Sequence, residues 1–349
     1  MTMPARITGG VDTHLDLHVA AALDERGGLC GVESFDTTPD GYRQLLAWLR
    51  SFGVVELVGV EGTGSYGAGL SRFLHANEVA VVEVDRPDRQ RRRRRGKSDP
   101  QDAITAARAA QSGDSCGLAK TRTGNVETMR VLRVARMSAR KARTQALNQM
   151  RSIIATAPDE IRTELRHLNV YRLLERASSY RPGQRRDVSS GTKYVLRTLA
   201  RRAVALEAEI TEIDAILKAL VADTAPQLAA ISGVGTDVAS ALLVAAGDNP
   251  ERLRSEATFA HLCGVSPIDA SSGKHERHRL NRGGDRQANS ALWHIVITRM
   301  VCDHRTRAYI ARRIREGLTK KEAVRCLKRY IAREIYQQLP RHHIVLDSP

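Results

Sequence analysis

Four acidic residues stand at positions where side chains from distant parts of a chain can meet: Asp12, Glu61, Asp99 and Asp102. The first ends the apolar run Gly-Gly-Val-Asp, and the second ends the run Val-Gly-Val-Glu. The other two belong to Lys-Ser-Asp-Pro-Gln-Asp-Ala, where a helix is predicted to begin. Carboxylates that lie close together stay ionised only beside a cation. Their oxygens are hard ligands, which suit Mg²⁺ or Mn²⁺. The sequence therefore predicts a divalent-metal site.

Each of these acids also has an ordinary structural explanation. Asp99 fits the N-cap of a helix that begins near Pro100, and Asp12 fits a turn at a strand end. Glu61 is harder to explain in this way, because its glycine neighbours leave it near an open strand end. His14 follows closely after Asp12, and the sequence favours a hydrogen-bonded neighbour over a metal ligand there.

A strongly basic composition accompanies the acidic residues. The 349-residue chain has 55 Lys and Arg against 39 Asp and Glu, a net charge of +16, which implies a polyanionic partner. Residues 86–97 carry eight basic residues and one acid, directly before the two aspartates. Such a run is either a solvated loop or a phosphate-binding segment. The candidate nucleic-acid-binding residues are Arg91, Arg92, Arg93, Arg94, Arg95, Lys97, Lys274, Arg277, Arg279, Arg282 and Arg286.

The composition also excludes several classes of protein. No apolar stretch approaches the roughly 18 residues of a spanning helix, and no signal peptide is visible, so a cytoplasmic protein without a membrane partner is expected. The five cysteines form no C-x-x-C pair, which argues against a zinc ribbon. No phosphate-binding G-x-x-x-x-G-K-[ST] loop is present, so no nucleotide cofactor is expected. Aromatic content of 4% argues against modules that stack bases on exposed rings.

Hydrophobic patterning divides the first third of the chain into strands and helices. Strands are predicted at 6–12, 17–23 and 29–35, a helix at 40–52 and a strand at 54–60. A helix at 65–77, a strand at 79–84 and a helix at 100–111 follow. The order β-β-β-α-β-α-β-α is that of the ribonuclease H superfold, with a first domain of class α/β.

Residues 125–222 are predicted to be long and helical, with a turn at 179–190. Apolar residues in the second half alternate spacings of three and four, which predicts a coiled-coil seam: Leu196, Leu199, Ala203, Leu206, Ile210, Ile213, Leu217 and Leu220. The partner is either the helix near 125–155 of the same chain or a second copy. Residues 120–151, with nine basic residues and one acid, are expected to offer a basic face.

Two short segments and two predicted helices mark the last third of the chain. Ile-Ser-Gly-Val-Gly-Thr, with Gly233 and Gly235, fits either a phosphate-receiving helix-hairpin-helix turn or an ordinary packing element. Ser-Ser-Gly-Lys, at 271–274, is followed by Lys, His and Arg residues that could stabilise charge on a phosphate. By itself such a serine pair is most often a turn. Helices are predicted at about 286–302 and 320–339.

Taken in order, these motifs closely resemble the transposases of insertion sequence family 110, a group that includes the Piv-like DNA invertases. The resemblance rests on Val-Asp-Thr-His, Val-Glu-Gly-Thr-Gly-Ser-Tyr, Lys-Ser-Asp-Pro-Gln-Asp-Ala, Ser-Gly-Val-Gly, Ser-Ser-Gly-Lys and Asn-Arg-Gly-Gly-Asp-Arg-Gln-Ala-Asn. It spans almost the whole chain. Each motif is weak alone, whereas the ordered set is specific.

The resemblance implies a RuvC-like domain at 1–118, a helical coiled-coil region at 119–224 and a mainly helical transposase domain at 225–349. It assigns the metal-binding tetrad to Asp12, Glu61, Asp99 and Asp102. It also implies a nucleophilic serine, placed at Ser272 with Ser271 as the alternative. Relatives of this kind recombine DNA under the direction of a non-coding bridge RNA from the element's own ends.

Three functions are therefore compared. The leading hypothesis is a site-specific DNA recombinase that joins donor and target DNA through a phosphoserine intermediate, with Mg²⁺ or Mn²⁺, a bridge RNA and a homo-oligomer, either a dimer or a tetramer. The second is a metal-dependent RuvC-like nuclease or junction resolvase with water as the nucleophile. The third is a non-enzymatic nucleic-acid-binding scaffold with a degenerate nuclease fold. A covalent protein–DNA adduct separates the first from the second.

Overall fold

The structure is a computed structural model, and it describes residues 5–84, 98–113, 116–183, 186–272 and 278–340. The chain divides into two compact units. The sheet unit comprises Met1–Glu127, Ala246–Phe259 and Arg341–Pro349, and the helical unit comprises Thr128–Ala245 and Ala260–Pro340. The division at residues 118 and 224 that the resemblance implies remains a prediction.

The sheet unit contains a six-stranded mixed sheet in the order β3-β2-β1-β4-β5-β6. Its strands are β1 Arg6–Thr13, β2 Leu17–Leu23, β3 Leu29–Asp36, β4 Val54–Glu61, β5 Ala80–Val84 and β6 Cys116–Leu118. The first three strands form an antiparallel meander, β1, β4 and β5 are parallel, and β6 is antiparallel to β5. The mixed α/β sheet predicted from the sequence is confirmed.

Register brings the ends of β1 and β4 together. Val11 pairs with Val60, so the next residue on each strand is an acid, Asp12 and Glu61. The central strands are buried on both faces and supply much of the core. This arrangement is typical of strands that are covered on each side.

Among the residues described in the first part of the sheet unit, three helices are present: α1 Pro39–Ser51, α2 Ala68–Ala76 and α3 Asp99–Ser112. Thr38 caps α1 by accepting a hydrogen bond from Gly41 N–H at 3.1 Å. The apolar side of α1 packs into the core with Leu45 and Leu49, both fully buried. The sequence predicted these helices within about three residues at each end.

Helix α3 lies directly against β1 and β4 because two glycines leave room for it. A Cβ atom at Gly10 would lie 2.1 Å from the backbone nitrogen of Ala107, and one at Gly59 would lie 2.7 Å from the carbonyl oxygen of Ala106. Any side chain at these positions would therefore displace the helix. This close approach places the beginning of α3 beside the end of β1.

The helical unit and the segments that join it to the sheet unit contain ten further helices within the described residues. They are α4 Asn125–Ala155, α5 Asp159–Leu165, α6 Val170–Ser178, α7 Val188–Thr224, α8 Pro226–Ala229, α9 Thr236–Ala246, α10 Glu256–Leu262, α11 Arg286–Cys302, α12 His304–Arg315 and α13 Lys320–Gln337. A two-stranded antiparallel hairpin joins β7 Ile268–Asp269 to β8 His278–Arg279. Within the described ranges, no helix combines the length and apolar composition that a membrane span needs.

The seam on α7 has a partner within the same chain. Ion pairs join Arg136 to Asp214 and Arg143 to Glu207, so α4 and α7 run antiparallel. Ala146, Met150, Leu196 and other residues of these helices share one hydrophobic cluster. Six of the eight seam residues are buried, and Leu206 and Leu220 are half-buried. The intramolecular alternative is the arrangement in this structure, and the oligomeric state remains a prediction.

Some elements differ from the predictions. The stretch 125–222, predicted as long helices joined by a turn at 179–190, contains four helices, because breaks at 156–158 and 166–169 divide its first part. Strand β6, the β7–β8 hairpin and helix α12 were not predicted. Helix α12 follows α11 after one residue, Asp303, which ends the first helix and caps the second. The final helix ends at Gln337, two residues before the predicted end.

Candidate active site

The ends of β1 and β4 place two acidic side chains at one edge of the sheet. Asp12 is 5% exposed and Glu61 is 8% exposed. The hydroxyl of Thr13 donates a hydrogen bond to the Glu61 carbonyl oxygen at 2.7 Å, which ties the two strand ends together. Gly62 follows with a φ of 70°, a conformation that glycine adopts without strain, so the chain turns away directly after Glu61.

Helix α3 contributes the other two acids from its first turn. Ser98 occupies the N-cap, Asp99 is the first helical residue and Asp102 lies one turn further on. The N-cap explanation of Asp99 is therefore wrong by one residue. Asp102 is buried, whereas the Asp99 side chain is 43% exposed.

Three other acids lie close enough to Asp12 to act on its charge. Burial raises the pKa of the Asp12 carboxyl to about 6, while His14 lowers it and the negative charges of Glu61, Asp102 and Asp99 raise it further. Ionising a carboxyl in this environment at neutral pH costs free energy. A cation placed among these groups would remove that cost.

His14 belongs to the same cluster. Its Nδ1 lies 3.7 Å from Asp12 Oδ2, and its Nε2 lies 3.8 Å from Asp99 Oδ1. These distances are too long for hydrogen bonds, so the hydrogen-bonded neighbour predicted from the sequence is not the arrangement in the structure. Ligand atoms of Asp12, His14 and Asp99 all lie within 4.8 Å of one another. The signal that pointed to His14 was its position two residues after a strand-end acid.

The serine pair lies in the helical unit, at the end of β7. Ser271 and Ser272 are both exposed. The Ser271 N–H donates to Asp269 Oδ1 at 2.8 Å, and hydrogen bonds from the side chain and backbone of Ser271 lower the pKa of the Asp269 carboxyl. Ser271 thus forms part of a local turn. The sheet unit holds the four acids, so the relation of either serine to them remains a prediction.

The basic residues predicted to bind nucleic acid divide into two groups. Arg279, Arg282 and Arg286 are exposed in the helical unit, at β8, after it and at the start of α11. The others lie outside the described residues: Arg91, Arg92, Arg93, Arg94, Arg95, Lys97, Lys274 and Arg277. Their binding role remains a prediction.

Two arginines counted in the basic face of α4 are buried instead. Arg133 is 7% exposed and donates to Asp237 Oδ1 at 2.8 Å and to Ser240 Oγ at 2.7 Å. Arg136 is 9% exposed and donates to Asp237 Oδ1 at 3.0 Å as well as to Asp214. Charge counting missed this network because Asp237 and Asp214 are distant from α4 in sequence.

The same network decides the role of the glycine turn before α9. Gly233 adopts a φ of 83°, and the turn packs close to Ile295 of α11. Asp237 in the first turn of α9 and the two buried arginines occupy the surroundings of this helix start. Of the two interpretations left open by the sequence, the packing element describes these contacts.

The fold and the acidic cluster define a transposase domain of the DEDD type, with a mixed sheet of the ribonuclease H-like kind. A transposase model of the IS110 DEDD type matches residues 9–157. A second model, described as a transposase of the IS116/IS110/IS902 family, matches residues 225–311. The chain belongs to the IS110 family of transposases.

A relative gives the same result. The chain is 32% identical over 142 residues to "Insertion element IS110 uncharacterized 43.6 kDa protein" from Streptomyces coelicolor. The match covers 39% of this chain and 34% of the relative, so it spans about a third of that protein's length.

The residues present fit the divalent metal that a DEDD-type domain implies. Asp12 Oδ2 is buried and has no hydrogen-bond partner within the described part of the chain. The carboxylate oxygens of Asp12 and Asp99 suit Mg²⁺ or Mn²⁺, and an imidazole nitrogen of His14 lies beside them. Because the raised pKa of Asp12 reflects burial among negative charges, a cation is the natural complement of this cluster.

Proposed function

We propose that this protein is a DNA transposase that cuts and rejoins strands through a phosphoserine intermediate. The main observation behind this proposal is that the Asp12 carboxyl is buried at a strand end, where the negative charges of three other acids raise its pKa. Family membership supports action on DNA. The proposal assigns metal binding to Asp12, Glu61, Asp99 and Asp102, with His14 beside them, and assigns the nucleophile to Ser272.

In this proposal the acids hold Mg²⁺ or Mn²⁺, which would neutralise the charge of the scissile phosphate when bound. The strand ends and α3 fix the carboxylates before substrate arrives, so little reorganisation is needed. The Ser272 oxygen forms a bond to phosphorus while phosphorus releases one deoxyribose oxygen, which takes up a proton. The reverse reaction with another strand end restores the hydroxyl. Because bond energy is conserved in the ester, no nucleotide cofactor is required.

A nuclease or junction resolvase that uses water is the second candidate. It is favoured by the observation that all four acids belong to the sheet unit. In that case Ser272 would have no chemical role. A non-enzymatic scaffold would show no metal-dependent reaction of any kind.

The proposed partners are donor and target DNA, a non-coding bridge RNA and further copies of the chain. The excess of positive charge supports a polyanionic partner. The antiparallel α4–α7 pair supports a coiled-coil region, with the long helices offering a surface for assembly. Sequencing the nucleic acid that co-purifies with the protein would identify the RNA.

The test is a strand-transfer assay on DNA carrying the element's ends, with the co-purified RNA. Wild-type protein with Mg²⁺ is expected to form a covalent protein–DNA adduct, and EDTA is expected to abolish it. The variant S272A should bind nucleic acid without forming the adduct, and the matched control S271A should retain it. An adduct on Ser271 would move the nucleophile by one residue. Cleavage without any adduct would establish the water-dependent nuclease instead.

A further inference from the structure

Helix α13 and the segment that follows β8 line a cavity in the helical unit. Its volume is about 920 Å³. A cavity of this size accommodates a group as large as a nucleotide, since ligand sites commonly measure about 300–1,000 Å³. It is open to solvent, because several of its lining side chains are exposed. We call it the α13 cavity.

The α13 cavity is strongly basic. Six cationic side chains line it: Arg279, Arg282, Arg325, Lys328, Arg329 and Arg333. Glu322 is the one carboxylate among its lining residues. That carboxylate accepts hydrogen bonds from the N–H of Thr319 at 2.8 Å and from its hydroxyl at 2.7 Å, in the capping box of α13. The acid therefore serves the helix terminus, and the cavity keeps a large positive surplus.

Several of these cations are not used by the fold. In the described residues, Arg279, Arg282 and Arg325 form no side-chain hydrogen bond and no ion pair. Other arginines of the same unit are paired, such as Arg299, which grips Glu334 through two hydrogen bonds of 2.8 and 2.9 Å. The exposed guanidinium groups that line this cavity outnumber its one carboxylate, Glu322, so they repel one another. An anion between them would relieve that repulsion.

A buried lysine forms part of the cavity wall. Lys328 is 9% exposed, and its ammonium donates to Asn289 Oδ1 at 2.7 Å. Asn289 in turn donates to the carbonyl oxygens of Cys263 and Gly264, so its orientation is fixed. The ammonium has three donors, and this contact uses one of them. Because burying a charge costs free energy, a bound anion would stabilise the buried ammonium of Lys328.

An aromatic ring connects the α13 cavity with a second one. Tyr330 is 55% exposed and lines both the α13 cavity and a neighbouring cavity of about 960 Å³ that includes Arg305 and Arg312. Tyr309 lies in the second cavity, edge-to-face with Tyr330 at 5.9 Å between ring centroids. The guanidinium of Arg312 lies 5.4 Å from the Tyr309 ring centroid. The second cavity is less basic, because Asp303 and Glu334 also line it. An exposed ring such as that of Tyr330, beside a basic cavity, is typical of surfaces on which unpaired bases stack.

We propose that the α13 cavity binds a phosphate of single-stranded nucleic acid, with a neighbouring base stacked on Tyr330. A strand could continue from the α13 cavity past Tyr330 into the second cavity, contacting cations along its backbone. A duplex keeps its bases paired, so it has none to offer to the ring. The inference rests on the proposed function only in taking nucleic acid as the partner, and it adds a site that the acids and Ser272 do not explain.

The experiment is fluorescence anisotropy with full-length protein and labelled oligonucleotides in EDTA, which prevents cleavage. The probes are oligo-dT, oligo-U and a DNA duplex. R325Q is expected to weaken single-strand binding about tenfold at low salt and to reduce the slope of log K against log salt by about 0.7. Y330L is expected to weaken it at least about fivefold without changing that slope. The conservative variant Y330F should bind like wild type.

The matched control is K321Q, which removes one charge from the exposed first turn of the same helix, outside the α13 cavity. It should change affinity less than twofold. A stronger effect on oligo-dT or on oligo-U would identify the natural strand as DNA or RNA, and either supports the site. If R325Q and Y330L bind both single strands like wild type, or if duplex binding falls equally in both variants, the inference is overturned. Those results would leave metal-dependent cleavage intact, whereas wild-type protein that binds no nucleic acid would overturn both proposals.

Discussion

Replacing Asp12 by Asn should stabilise the metal-free protein while abolishing its activity. The Asp12 carboxylate is 5% exposed and lies among other acids, so ionising it costs free energy in the folded state. An amide of the same size carries no charge and avoids this cost. A residue that contributes only to folding would show the opposite result, because its removal would destabilise the protein.

The magnitude follows from the pKa of Asp12, which burial raises from 3.8 to about 6. A shift of this size corresponds to about 3 kcal/mol, at about 1.4 kcal/mol per pKa unit. Between pH 4 and 6 the native protein binds more protons than the unfolded chain, so the free energy of unfolding falls as the pH rises through that window. The cost is fully present above the folded pKa and absent below the unfolded one.

The assay is guanidinium chloride unfolding in EDTA at several pH values. At pH 8, D12N should be more stable than wild type by up to about 3 kcal/mol, less any cost of an imperfectly paired amide. At pH 4 the two proteins should be nearly equal. Mg²⁺ or Mn²⁺ at 100 times its Kd should stabilise wild type by about 2.7 kcal/mol and D12N much less.

The matched control is D16N, which changes an exposed acid four residues further along the chain. Its unfolding free energy should follow wild type at every pH and respond to the metal in the same way. If D12N is no more stable than wild type at pH 8, the electrostatic description of the site is incorrect. If metal stabilises both proteins equally, Asp12 does not bind it.

Three further predictions concern the framework around the site. Gly10→Val should displace α3 and destabilise the protein by about 1–3 kcal/mol in chemical unfolding, whereas Gly117→Ala, where a Cβ meets no atom within 4 Å, should have little effect. Asp237→Ala should lower the free energy of unfolding by about 2 kcal/mol, again measured by chemical unfolding, because two buried arginines lose a shared partner. The loss is moderate because the Asp237 side chain is 45% exposed. Replacing Leu206 and Ile213 together by Asp should lower the melting temperature without changing the mass by light scattering, since α7 packs on α4 of the same chain; a halved mass would show an intermolecular seam.

The predictions from sequence succeeded where a signal is local. Alternating and continuous apolar runs located β1 to β5, and β2 and α11 have the predicted bounds. Helical periodicity located α1, α3 and α13 in the same way. Such patterns reflect which side of one helix or strand faces the core, and that side is determined by residues close together in the chain.

Predictions failed where the outcome depends on contacts between distant segments. The approach of His14 to Asp99 was not predicted, because only the packing of α3 on β1 brings Asp99 close to it. Arg133 and Arg136 were counted as a basic face, because their acidic partners on α7 and α9 lie at least 78 residues away. The sequence also could not show that two of the few aromatic rings, those of Tyr309 and Tyr330, lie edge-to-face beside a basic cavity.

The sequence by itself determined the sheet, the acids at its strand ends and the excess of positive charge from which a polyanionic partner is predicted. It could do so because strand and helix periods, turn residues and net charge are properties of short segments or of the whole composition. Only the tertiary structure decided which acids approach Asp12, which cations are buried in ion pairs and which line an open cavity. Burial and proximity set the pKa of a carboxyl and the cost of an unpaired charge, and both arise only when segments distant in the chain pack together.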